Sequence, residues 1–229
     1  MFDGIFFINS ALNVNQLSVF KNDERFSQTC QTIESINKYC PNSAKFIFDS
    51  SPYPVDEEYK KQISSMDNTW FINMGDNEVV KSFSLKGMRS QAECFSFMSF
   101  LDWFKQQNIT GKRIYKISGR YTLTDNFIVD DDSYKDAFVF SDALESWMPK
   151  EIQNIAGANK LFRLRLWHMD YNLLDTFERE LPVILRDCID YGIDVEHSYW
   201  KHLHKYRVIE LDKIGVKGII APSGEYIDE

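Results

Sequence analysis

The chain has 229 residues, a formal net charge of −8, 44% hydrophobic and 15% aromatic residues. That apolar content supplies a large core and excludes a disordered chain, while the acidic balance disfavours tight non-specific binding to a nucleic-acid backbone. Cys30, Cys40, Cys94 and Cys188 lack CxxC spacing and neighbouring histidines, so they read as small buried thiols in a reducing cytoplasm. No apolar stretch approaches the ~18 residues of a membrane span, and the Met1-Phe2-Asp3-Gly4 start lacks the basic region of a signal peptide.

Ile5–Ile8 is an apolar run of strand length that stops at Asn9-Ser10, a turn-favouring pair. Phe26, Thr29, Cys30, Ile33 and Ile36 then recur at helical spacing, which predicts a helix over Asp23–Tyr39 ending at Pro41-Asn42. Ala44–Phe48 is a second apolar run, broken at Asp49-Ser50-Ser51-Pro52. Strand, helix and strand in this order make a βαβ unit and imply a parallel sheet. A short helix over Asp56–Met66, a strand over Thr69–Met74, a long helix over Gln91–Gln107 and a strand over Arg113–Ile117 continue the alternation. Through residue 121 the pattern is that of a Rossmann-like nucleotide-binding half. Beyond it the pattern is mixed, with strands at Phe138–Phe140, Val208–Leu211 and Gly218–Ile220. Leu161–Trp167 alternates like an antiparallel strand, with Arg163, Arg165 and Trp167 on one face; Leu173–Tyr191 and Val195–Leu203 are helical. The chain reads as one domain, 1–229, with halves at 1–121 and 122–229.

The most informative run is Ile114-Tyr115-Lys116-Ile117-Ser118-Gly119-Arg120-Tyr121, an apolar strand ending in a small cationic turn. Ligands of open α/β sheets sit beyond the carboxyl ends of the strands, and Gly119 permits close backbone approach there while Ser118 and Arg120 offer donors to phosphate or sugar oxygens. Asp49, just past the second strand, suits a ribose or base contact or an Asx turn with Ser51. Lys86-Gly87-Met88-Arg89 precedes the long helix, whose free amides and dipole favour a diphosphate, and Glu93 reads as a helix-start acid. Asp130-Asp131-Asp132 is an acidic triple suited to Mg²⁺ or Mn²⁺ or to an exposed turn. Asp194-Val195-Glu196-His197 gathers two carboxylates and an imidazole from which a general base or a metal ligand can come.

These pieces in order resemble the GT-A glycosyltransferase superfamily, and within it small glycosyltransferase-like proteins of bacteria and large phages. The resemblance rests on Arg25-Phe26-Ser27-Gln28-Thr29-Cys30-Gln31-Thr32-Ile33-Glu34-Ser35-Ile36, on Asp49-Ser50-Ser51, on Lys86-Gly87 and on Lys116–Tyr121. It continues in Gly192–His197 and in Gly215-Val216-Lys217-Gly218-Ile219-Ile220-Ala221-Pro222-Ser223-Gly224. It implies an α/β, GT-A-like fold: a mostly parallel sheet flanked by helices, with a mixed C-terminal, acceptor-side half. It implies transfer of a sugar from a nucleotide-diphosphate sugar to the hydroxyl of a polysaccharide, a glycolipid or a modified nucleic acid. Asn9, Asp49, Lys86, Arg89, Lys116, Ser118, Gly119 and Tyr121 would bind the nucleotide sugar. Glu196, Asp194 and Arg120 would be catalytic, and His197 would orient the acceptor or bind Mg²⁺ or Mn²⁺.

The superfamily's strand usually ends in a metal-holding Asp-x-Asp, where this chain has Ser118-Gly119-Arg120. A guanidinium there would neutralise the leaving diphosphate. Two other readings share the half-sheet: a sugar nucleotidyltransferase, for which Asn9-Ser10-Ala11-Leu12-Asn13 lacks the Gly-rich loop, and a non-catalytic carbohydrate- or partner-binding protein.

Overall fold

The computed structural model describes residues 1–14, 19–129, 132–220 and 224–229. Three strands, β1 (Phe2–Ser10), β2 (Ser43–Asp49) and β3 (Thr69–Asn73), are joined by helices α1 (Asn22–Tyr39) and α2 (Glu57–Ser64). Helices α3 (Glu78–Leu85) and α4 (Arg89–Lys105) then lead to β4 (Gly111–Ser118), which pairs with the free side of β1. The second half contributes β5 (Tyr121–Leu123), β6 (Phe138–Ser141), β7 (Leu144–Glu145), α5 (Lys150–Ala156), β8 (Lys160–Leu161) and β9 (Leu166–Asp170). It closes with α6 (Leu174–Asp190), α7 (Val195–Leu203), β10 (Val208–Leu211), β11 (Val216–Ile219) and β12 (Tyr226–Asp228).

The large sheet has the order β10-β6-β9-β4-β1-β2-β3. Every neighbouring pair is parallel except those made by β9, which runs against both β4 and β6. A small antiparallel sheet, β12-β11-β5, and the β7-β8 pair complete the described strands. Both halves of the chain therefore build one seven-stranded sheet.

Burial explains this arrangement. All seven residues of β2 are buried, as a strand covered by helices on both faces must be. Alternation divides the central strands between two cores: Ile5, Phe7, Phe46 and Phe48 face α4, α6 and α7, whereas Phe6, Ile8 and Ile47 face α1 through Ile33 and Ile36. Phe7 sits edge-on to Phe97, Phe100 and Phe104 of α4, with centroids 5.8, 4.8 and 4.9 Å away. Such aromatic packing adds to the area term. On the other face Thr29 and Thr32 of α1 donate to the carbonyls of Gly119 and Tyr121, at 3.1 and 2.8 Å. These two bonds fix α1 against the turn that follows β4.

The βαβ units stand where the apolar runs place them. The Leu161–Trp167 run is divided instead: Leu161 ends the two-stranded pair, 162–165 is a link, and antiparallel β9 begins at Leu166. The helix α3, capped by the Asn77 side chain accepting from the Val79 and Val80 amides, is an addition. All four cysteines are free thiols, three of them buried and Cys30 half-buried. Among the described residues, no helix is long and apolar enough to cross a membrane.

Phe7→Ala removes a ring from the middle of this aromatic cluster. It is expected to cost about 3–5 kcal/mol, read as a lowered urea midpoint with an unchanged slope.

Candidate active site

Strands β1, β2 and β4 end together, with Ser10 opposite Asp49 and Asn9 opposite Ser118. The chain turns sharply at all three ends, and one carboxylate organises two of the turns. Asp49 is fully buried; its Oδ2 accepts from the Ser10 hydroxyl at 2.5 Å and the Leu12 amide at 2.9 Å, and its Oδ1 accepts from the Ser51 amide at 3.0 Å. The Ser51 hydroxyl in turn accepts from the Asn13 amide at 2.8 Å. The Asx turn with Ser51 is thus present, and Asp49 is directed into the protein, where it joins the segments after β1 and β2.

At the end of β4 the Gly119 amide donates to the Asn9 carbonyl at 2.9 Å. A Cβ at Gly119 would lie 3.0 Å from the Thr29 hydroxyl and 3.4 Å from the Ser10 Cβ, so any side chain there would press on Thr29 and Ser10. Arg25 reaches in from α1, donating from Nη1 to the Ala11 carbonyl at 2.7 Å. Together Asn9, Ser10, Ala11, Leu12, Arg25, Thr29, Gly119 and Arg120 line a narrow crevice. Burial lowers the Arg25 pKa to about 10; repulsion from Arg120 and Arg89 adds to this, and Asp49 opposes it. Arg120 and Arg89 are therefore both within electrostatic reach of Arg25 at the carboxyl edge of the parallel strands. Two polar atoms here, Asn9 Oδ1 and Arg120 Nε, are buried without a hydrogen-bond partner among the described residues. Arg89, exposed in the first turn of α4, sits at a helix start that no side chain caps, and exposed Lys86 lies two residues before Met88 in the same loop.

A second group of charges lies on the α4 side of β4. Lys116 is 2% exposed and donates to Glu93 at 2.7 Å and to the Leu164 carbonyl at 3.0 Å, which directs it to a carboxylate rather than to the crevice. Glu196, in the first turn of α7, is half-buried, and its pKa is raised to about 7 by burial and by the neighbouring Asp194 and Glu93 carboxylates. Lys116 opposes that rise. Asp194 caps α7 by accepting from the His197 amide at 3.0 Å. Both ring nitrogens of His197 are engaged, Nδ1 with Asp194 at 2.5 Å and Nε2 with the Ser146 hydroxyl at 2.8 Å. Tyr121 is buried in the α1-side core, with its ring 5.7 Å from the Arg120 guanidinium. Arg163 and Arg165 lie next to the end of β4, since the Ser118 amide donates to the Arg165 carbonyl at 3.0 Å, and both pair with the Glu229 carboxylate.

A divalent cation at the end of β4 needs hard oxygen donors. Ser118-Gly119-Arg120 supplies a guanidinium in that place, Asp49 already accepts from three protein donors, and Glu93 is paired with Lys116. These residues do not fit a metal there. Among the described residues no group of three or more His, Cys, Asp or Glu side chains is placed to hold a metal ion. Asp130 and Asp131 lie outside the described residues, and Asp132 begins a short 3₁₀ turn.

No family model matches the sequence, and no curated protein matches it. Solved structures match it by shape. The galactosyltransferase LgtC, in complex with donor and acceptor sugar analogs, superposes with a TM-score of 0.50 at 10% identity over 87% of this chain and 70% of that one. An active-site mutant of LgtC gives 0.52 at 11%, over 90% and 72% of the two chains. The bifunctional glycosyltransferase WbbM gives 0.52 at 11%, over 91% of this chain and 38% of that one. The fold is GT-A-like.

Of the residues expected at the site, Asn9, Ser118, Gly119 and Arg120 meet at the edge, with Lys86 in the loop that enters α4 and Arg89 at the start of that helix. Lys116, Glu196, Asp194 and His197 form the adjoining group, while Asp49 and Tyr121 point into the protein. Arg25 and Glu93 were not expected among the site's residues. Arg25, Thr29 and Thr32 share one helical face by their spacing, which is the signal that places Arg25 inward.

Asp49→Ala strands the Leu12 and Ser51 amides, each at about 1–3 kcal/mol. A lowered unfolding midpoint and faster hydrogen exchange at these two amides are expected; unchanged exchange would remove Asp49 from its organising role.

Proposed function

We propose that the protein is a glycosyltransferase that moves a sugar from a nucleotide-diphosphate donor to an acceptor hydroxyl. The observation that carries this reading is that Arg25 and Arg120 line one crevice at the strand edge, on a fold shared with LgtC and WbbM. Two guanidiniums at one edge, with Arg89 at the nearby start of α4 acting on Arg25, favour a multiply charged anion, as a diphosphate is. Asn9 Oδ1, a buried acceptor without a described partner, suits a donor group of the nucleoside. Ser118 at the end of β4 offers a hydroxyl to the same ligand, and exposed Lys86 adds charge at the rim.

In the chemical step the bond between the sugar's anomeric carbon and the diphosphate oxygen breaks, and the diphosphate leaves with the electron pair. Arg120, Arg25 and Arg89 stabilise the growing negative charge, the part that preorganised donors play in other transfers. The acceptor oxygen bonds to the anomeric carbon and releases its proton to Glu196. A carboxylate with a pKa of about 7 is matched to that work near neutrality. Lys116 and Glu93 set the field around Glu196, and Asp194 holds the start of its helix. If the base attacks from the face opposite the leaving group, the transfer is inverting.

Arg120→Ala is expected to lower hydrolysis of UDP-, GDP- or TDP-sugars by about 10²–10³ with the fold intact, and Arg120→Lys to recover little of it because lysine lacks the planar fork. A folded Arg120→Ala variant of undiminished rate would sink the diphosphate assignment.

Glu196→Gln should keep donor binding, measured by thermal shift, yet lose transfer by about 10²–10⁴. In the wild type the rate should climb as pH rises through about 7, where Glu196 ionises. Stability moves the other way. The folded pKa of about 7 lies above the ordinary 4.5, so the folded state holds this proton more tightly and loses that advantage as pH rises from about 4.5 to about 7. Denaturation midpoints across this interval should show a slope that flattens in Glu196→Gln.

A further inference from the structure

Ser146, in the segment between β7 and α5, and His197 and Asp194 of α7 lie outside the lining of the arginine crevice. They form a chain of hydrogen bonds of their own. His197 Nε2 is 2.8 Å from the Ser146 Oγ, and its Nδ1 is 2.5 Å from the Asp194 Oδ1. A carboxylate only accepts, so Nδ1 carries the hydrogen; Nε2 of the neutral ring is then the acceptor, and the Ser146 hydroxyl hydrogen points at it. The orientation is fixed at both ends. Asp194 Oδ1 also accepts the His197 amide at 3.0 Å, and the Met148 amide donates to the Ser146 Oγ at 3.1 Å.

Capping α7 needs only Asp194 and the amide, and it does not account for a hydroxyl brought in from 51 residues away onto the far ring nitrogen. The surroundings supply what a nucleophilic serine requires. Imidazole and carboxylate are ordered, with His197 fully buried, while Ser146 remains half-exposed. The Trp147 amide, next after the serine, has no hydrogen-bond partner among the described residues. An amide at that position serves as an oxyanion donor in serine hydrolases. The Trp147 indole is 73% exposed and stands edge-on to the imidazole at 5.5 Å, which gives an apolar wall beside the hydroxyl.

We propose that Ser146, His197 and Asp194 form a second catalytic centre that hydrolyses esters of small acyl groups. The Ser146 Oγ bonds to the acyl carbon as its proton passes to His197 Nε2, and the ester's alkoxide leaves and takes that proton. Water then attacks the acyl-serine and gives a proton to Nε2; the carbon–Oγ bond breaks, Oγ recovers the proton, and the carboxylic acid departs. Asp194 orients the ring and stabilises its charged form, and no oxidant or reductant is required.

The full-length protein is treated with a tagged fluorophosphonate, digested and mapped by mass spectrometry, and in parallel supplied with p-nitrophenyl acetate. An adduct on Ser146 and ester hydrolysis are expected in the wild type. In Ser146→Ala the adduct should vanish and hydrolysis should fall by about 10³ or more, with a native circular-dichroism spectrum and unchanged sugar-nucleotide hydrolysis. His197→Gln, which keeps a polar group in place of the base, should lose labelling to the same extent. If that variant fails to fold, Ser146→Cys gives the answer: a thiol beside Nε2 should be alkylated by iodoacetamide at least about tenfold faster than Cys30. A wild type that takes up no fluorophosphonate, or a Ser146→Ala variant that hydrolyses the ester at the wild-type rate, overturns the proposal and leaves the three residues as a bridge between β7 and α7.

Discussion

The buried Asp49 carboxylate is the interaction on which the carboxyl edge of β1, β2 and β4 depends. A carboxylate removed from water persists only where donors replace its hydration, and here a hydroxyl and two amides from the ends of adjacent strands do so. Because those donors belong to the segments after β1 and β2, satisfying the charge fixes where both segments run. Arg25 then has the Ala11 carbonyl to bind, Asn9 has the Gly119 amide, and Thr29 has the Gly119 carbonyl. The cationic crevice is a consequence of how a negative charge was buried beside it.

The chain is acidic as a whole, yet its strand edge is rich in arginine, so placement rather than number sets the local field. Arg120 and Arg89 lower the proton affinity of Arg25, whereas Asp194 and Glu93 raise that of Glu196 and Lys116 opposes them.

Much of this architecture is legible in the sequence because its signals are local. Ile5–Ile8, Asp23–Tyr39 and Ala44–Phe48 declare a βαβ unit through apolar runs and helical spacing, and the Ser118-Gly119-Arg120 turn declares a strand end. Other features depend on partners far along the chain. The alternation of Leu161–Trp167 continues through a change of partner, and period alone carries no mark of where one pairing stops and another begins. Arg25 is hidden because the pattern of α1 is read from its apolar positions, and a buried arginine interrupts that pattern without announcing its purpose. Asp49 and Ser51 are compatible with a ligand contact or an Asx turn until the Ser10 hydroxyl and Leu12 amide are found on the same oxygen. The Ser146 and His197 pairing spans 51 residues and has no local signature.

The lone reversed strand, β9, couples chain length to chemistry. The other strands of the large sheet run toward the ligand edge and β9 runs away from it, so its entry, the 162–165 link with Arg163 and Arg165, adjoins the end of β4. Side chains alternate along β9, with Trp167 and Met169 in the core on the α4 side and Leu166 in the core on the α1 side. Inserting or deleting one residue in the link while the arginines stay in place would exchange these faces and expel the indole from its core. Lengthening by two would restore the faces but move the arginines away from Glu229. The link therefore behaves as a ruler whose divisions are single residues, and variation in related chains should collect elsewhere along the rim.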